Sequence, residues 1–198
     1  MQESEFWTLI ERARADVGNH GGFPSGAAIG AALAERLAQM PLERIVAFDV
    51  RRTRVVGRAD QWGVCAATFV VWKYLSDDTF SDFKAGLLGL GQNAFERVVD
   101  SADALADVPV IQAIAAGQLD PFAVSGGAID AAAAEAYERR TGDADAFWEA
   151  LQALPANAWN EAPSPAEPWS GKFGSPEDAE RIPVELPRLH ALFNSAKL

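Results

Sequence analysis

Between Ser4 and Val17 the apolar positions Phe6, Trp7, Ile10, Ala13 and Val17 recur at the three- and four-residue spacing of one helical face, with Ser4 placed to cap the start and Gly18 to end it. The Gly-rich stretch 19 to 26, containing Pro24, reads as a loop, and Ser25 within it offers an N-cap for a second helix whose inner face is Ile29, Leu33 and Leu37. Pro41 opens a third helix, Leu42 to about Ala59, with Ile45, Phe48, Val55 and Val56 on one side. The stretch from Trp62 to Leu75 is apolar all round except at Thr68 and Lys73, which predicts a central buried helix against which the rest packs. Ser76 then caps a fifth helix. Asp77 and Asp78 fall in its first turn, where carboxylates complement the helix dipole, and Phe80, Phe83, Leu87 and Leu88 form its inner face, while Gly86, Gly89 and Gly91 weaken its end.

Short helices follow at about Gln92 to Val99, Ser101 to Ala106 and Pro109 to Ala116, the last closed by Gly117. An Ala-rich helix, Ala128 to Arg140, ends at Thr141-Gly142, and Asp143 to Leu154 resumes with Phe147, Trp148 and Leu151 inward. Beyond Leu154 prolines become frequent, yet Trp159, Trp169, Phe173, Leu186, Leu189 and Phe193 make the tail too apolar for a disordered linker. Ser175-Pro176-Glu177-Asp178 reads as the start of a short capped helix and Pro187 to Phe193 as another. The pattern thus predicts an all-α, single-domain irregular helical bundle over 1–154, with an extended Pro- and Trp-containing C-terminal arm, 155–198, lying on the same domain.

At 198 residues and 49% hydrophobic content the chain supports one sizeable core. A net charge of -11 argues against nucleic acid or an anionic membrane surface as the partner, since both need a dominant positive field, and favours a cationic one. A single cysteine, Cys65, excludes an internal disulfide and a multi-cysteine metal site and suits a reducing, cytoplasmic setting. The acidic start Met-Gln-Glu-Ser-Glu is unlike a signal peptide, and the longest apolar run, Val64 to Trp72, is about half a membrane span.

Several segments in combination carry a family resemblance: Glu5-Phe-Trp-x-x-Ile10, Trp62…Ala-Ala…Ser76-Asp-Asp-x-Phe80-x-x-Phe83, Gly91-x-x-x-Phe95-Glu, Ala102-Asp-x-Leu-Ala106 and Ala136-Tyr-Glu-x-x-Thr-Gly142. Together they resemble the bacterial domain of unknown function 4240, common in actinomycetes, over most of the chain. The resemblance implies a cytosolic, mainly helical single domain and no established activity. The chain departs from relatives at Trp72-Lys-Tyr-Leu75, where a Gly-rich turn is frequent, and around Lys84-Ala-Gly86, where relatives often carry a Trp.

Candidate chemistry is sparse. Arg44, Arg51, Arg54 and Arg58 form a basic stripe on the third helix, able to grip an anion or an acidic partner, or to pair with the chain's own carboxylates. Arg52 falls among the apolar positions of that helix, where a guanidinium needs a carboxylate or must snorkel outward. Asp77, Asp78 and Asp82 are hard oxygen ligands within two turns, which capping explains as well as a metal does. Cys65 is a nucleophile only if His20 or His190 approaches, and its apolar neighbours favour burial. Gly86-Leu-Leu-Gly89-Leu-Gly91 ends a helix where a phosphate loop would open one, and Ser25 in its Gly loop lacks an acid–base partner. No set of residues implies a cofactor. The expectation is a non-enzymatic, cytoplasmic protein that binds another protein. The competing reading is an enzyme or small-ligand binder in which Arg51 or Arg54 converges with Asp77, Asp78 and Trp169 on one anionic ligand or metal.

Overall fold

The computed structural model describes residues 1–18, 23–155, 158 and 173–195. His20, Trp159, Trp169 and most of the Pro-rich stretch lie outside the described residues. Among those described, the regular elements are all helical. They are α1 (Glu3–Val17), α2 (Gly26–Ala38), α3 (Leu42–Gly57), α4 (Trp62–Trp72), α5 (Asp77–Gly89), α6 (Gln92–Asp100), α7 (Pro109–Ala115), α8 (Gly127–Thr141), α9 (Ala146–Gln152), α10 (Pro176–Glu185) and α11 (Pro187–Ser195), with single 3-10 turns at Ala102–Asp107 and Pro121–Val124.

Caps account for several boundaries. The Ser25 hydroxyl accepts from the Ala28 amide at 3.2 Å and opens α2; Ser76 and Thr79 exchange bonds across the first turn of α5; Gly142, at φ 75°, closes α8. At α1 the cap differs from expectation: the helix starts at Glu3, and the Glu5 carboxylate accepts the Gln2 amide at 2.9 Å while Ser4 lies inside the first turn. Helix α4 stops at Trp72, three residues early, because Lys73 turns left-handed at φ 58°. No glycine marks that stop.

Two groups of helices share the core. α2 and α8 pack along their lengths, with α3 and α9 beside α8, whereas α4 packs on the Ala102–Asp107 turn, α5, α7, α10 and α11. The element that touches both groups is α5, which meets α1, α2, α3, α4, α6 and α8. The expectation that everything packs on α4 is thereby corrected. α4 is indeed buried from Val64 to Val71 except at Phe69, but α5 presents Phe80, Phe83, Leu87 and Leu88, all fully buried, between the two groups. In α9 Phe147 turns inward, onto Tyr137, and Leu151 packs partly buried against the core as expected, while Trp148 is 55% exposed and meets Phe147 edge-on; neighbouring helical positions point about 100° apart. The C-terminal residues Leu186, Leu189 and Phe193 are buried against the core.

Small residues set the spacing. A Cβ on Gly30 of α2 would lie 2.4 Å from the backbone carbon of Ala128 in α8, and one on Gly86 of α5 would lie 1.7 Å from the Val124 carbonyl oxygen. Gly86 is therefore a close-approach position, while Gly89 is the last residue of α5 and Gly91 follows it at φ 92°. Gly30→Ala is expected to destabilise the protein by about 3 kcal/mol in urea unfolding, the upper range for overpacking. Gly117→Ala, at φ 70° with nothing within 4 Å of the added carbon, should cost only about 1 kcal/mol, from backbone strain alone. Equal losses at the two positions would refute the packing account.

Candidate functional site

The four stripe arginines stand along α3, half-buried, and each meets an acceptor within the chain. Arg44 pairs with Glu5 at 3.2 Å. Arg51 donates twice to the Met1 carbonyl, at 3.1 and 3.0 Å. Arg54 donates to the Ala158 carbonyl at 2.6 Å, and Arg58 holds Glu96 and, at 3.3 Å, Glu3. Arg51 and Arg54 border a depression of about 250 Å³ with Met1 and Leu154, while Asp77 borders a different one at the end of α4. The structure does not bring these groups into one cavity, and Trp169 lies outside the described residues.

The acidic candidates also separate. Asp77 and Asp78 are exposed on the first turn of α5, whereas Asp82 accepts from the Ser125 hydroxyl at 2.7 Å and the Gly126 amide at 2.8 Å, holding the turn before α8. Among the described residues no three His, Cys, Asp or Glu side chains group to hold a metal ion. Cys65 is fully buried, and burial pushes its thiol up to about 12, too high for a nucleophile near neutral pH. Arg52 finds the carboxylates its position demands: Asp49, buried, at 2.8 Å, and Asp130 of α8. Burial raises the Asp49 carboxyl above its usual range, opposed by the adjacent guanidinium.

The feature that sequence reading missed is a cleft of about 640 Å³ between the end of α1, the Phe23-Pro24 segment, the C-terminal half of α5, α6, the start of α7 and Ala123–Ser125. Its apolar walls include Ile29, Val108, Val110 and Val124, and Gly86 and Gly89 also line it. Its ionisable lining is Glu11, Arg14 and Arg97. Glu11 and Arg14 form an ion pair. Glu11 also accepts the Gln92 amide at 2.9 Å, capping α6, and Arg14 donates from Nε to the Gly89 carbonyl at 2.9 Å, at the end of α5. Gly91, at φ 92°, makes room for this pair: a Cβ there would lie 2.3 Å from an Arg14 guanidinium nitrogen. Arg97 is exposed on the same face of α6 as Asn93 and Ala94 and makes no ion pair or hydrogen bond among the described residues. Two guanidiniums against one carboxylate leave the cleft one positive charge in surplus, in a chain of net charge -11.

Fold and cleft together define an all-α protein with a locally cationic cleft. Residues 1–139 match the family described as protein of unknown function (DUF4240), and the chain belongs to that family. No curated protein and no solved structure matches the chain. Every cleft residue lies within the matched region.

Replacing Arg52 by Leu removes the nearest partner of a buried carboxylate and is expected to cost about 3 kcal/mol at pH 7. The Asp49 carboxyl, already raised, then rises further. The penalty is present above its new folded pKa and shrinks as acid protonates it, so urea unfolding at pH 7 and pH 5 should show a smaller loss at pH 5. A penalty independent of pH would exclude Asp49 as its origin.

Proposed function

We propose that the protein binds a small organic anion with an apolar body in the cleft between α1, α5, α6 and α7. The carrying observation is the surplus positive charge of this cleft against the acidity of the whole chain. Acidity alone favours a protein partner, but the cleft adds a concave volume in the range of small-ligand sites, apolar walls and a few convergent polar groups. Arg97 meets the anionic group. Arg14 is committed to the α5 carbonyl end and to Glu11, so it orients the wall and lends field rather than a free donor. Val108, Val110 and Val124 take the apolar body. This reading replaces the α3 stripe as the ligand site, since those guanidiniums already have acceptors. We place the function in the cytoplasm, where a lone buried thiol needs no partner.

The probe is 8-anilinonaphthalene-1-sulfonate, an apolar anion whose fluorescence rises on burial, with octanoate as competitor. Saturable binding, displaced by octanoate and weakened about tenfold by Arg97→Gln, is expected, equivalent to about 1.4 kcal/mol. Arg97 is exposed, so the variant should keep its melting temperature. Equal affinity in both proteins would reject the site.

A further inference from the structure

We propose that the groove at the C-terminal end of α4 recognises a lysine side chain of a basic partner protein. The groove, about 300 Å³, is lined by Phe69, Tyr74 and Phe173, with Lys73 and Asp77 also bordering it. Phe69 is 38% and Tyr74 60% exposed, large aromatic areas for a chain that buries most of its rings. Phe69 and Phe173 lie 5.3 Å apart, centroid to centroid, tilted by 51°, so that two ring systems flank one opening.

Nearby rings already hold cations of the chain itself. Arg181 sits 3.8 Å over Trp62 and Lys73 5.4 Å over Phe193. Among the described residues no cation covers Phe69, Tyr74 or Phe173. Lys73 borders the groove, but its ammonium turns to Phe193. Asp77 and Asp78 are exposed and enter no ion pair or hydrogen bond among the described residues. An ammonium seated there gains ring faces and a carboxylate together, and Asp78 adds field from the next position. The occupant follows from charge: the chain's -11 attracts a basic protein at long range, and the groove gives its lysine a specific seat. This site is independent of the cleft.

The test titrates the full chain with an N-acetylated, C-amidated hexalysine peptide at physiological salt, followed by amide NMR shifts. Hexaglutamate and tetramethylammonium are run in parallel. Shifts should concentrate at Phe69 to Asp77. Tyr74→Ala and Asp77→Asn should each weaken hexalysine about fivefold, and the double variant more than tenfold. Glu149→Gln, which removes an exposed charge on α9, should leave the affinity unchanged. Both groove positions are exposed, and unchanged melting temperatures confirm that the variants fold. The proposal falls if hexalysine does not bind, or if Glu149→Gln weakens it as much as Asp77→Asn does, which would mean diffuse attraction to an acidic surface. Tetramethylammonium binding as tightly as hexalysine would make the groove a small-cation site and overturn the assignment to a protein partner.

Discussion

A carbon added to Gly126 would stand 2.0 Å from the backbone nitrogen of Gly86, and this backbone-on-backbone crossing fixes much of the molecule. It lets α5 run directly beneath the turn that opens α8, and a Cβ on Gly26, at the start of α2, would meet the same turn at the Ser125 carbonyl. Three helices thus converge where no side chain fits. Asp82 locks the crossing from α5 by accepting the Ser125 hydroxyl and the Gly126 amide.

Carboxylates from distant elements repeat the role of Asp82. Asp103, buried in its 3-10 turn, accepts the amides of Arg188 and Leu189 at 3.0 and 2.9 Å and so caps α11. Glu11 caps α6, and Asp178 at the start of α10 accepts the Trp62 indole N–H at 2.7 Å, a bond that helps hold its carboxyl down at about 2. Each such contact satisfies helix-end or indole donors and pins one element to another. The guanidiniums of α3 are consumed in the same way, tying that helix to the N-terminal residues, α6 and Ala158. Much of the chain's charge is thus structural.

That explains how far the sequence could be read. Local signals were sufficient for the first three helices, the Ser76 start of α5 and the Gly142 stop of α8, because caps and periodicity act within a few residues. The left-handed Lys73 carried no glycine to announce it. Helical spacing put the stripe arginines on one face but could not say what stood opposite, and Glu96 and Ala158 are 38 and 104 residues away from their partners. The cleft was illegible for the same reason: Glu11, Gly89, Arg97 and Val110 are neighbours only in the fold. Gly86 and Gly89 read locally as helix weakeners, since propensity records the missing side chain and not the backbone that approaches in its place. The buried, inert Cys65 was legible because that reading needed only the immediate apolar surroundings, which also showed the demand at Arg52 but not its partners Asp49 and Asp130.

Helix α5 links the two proposed sites. Its first turn brings Asp77 to the aromatic groove and its last turns wall the cleft, twelve residues or about 18 Å further along. Its dipole runs between them with the positive end at the groove, where Asp77 and Asp78 more than offset it, and the negative end at Gly89, where Arg14 Nε meets the carbonyl. The helix ends are thereby compensated from within the chain. What is left over is opposite at the two ends: exposed carboxylates beside open ring faces at the groove, and the uncommitted Arg97 guanidinium at the cleft. The Gly86–Gly126 crossing holds the C-terminal half of α5, close to the cleft and away from the groove. The two proposed sites are separate surfaces that share one helix.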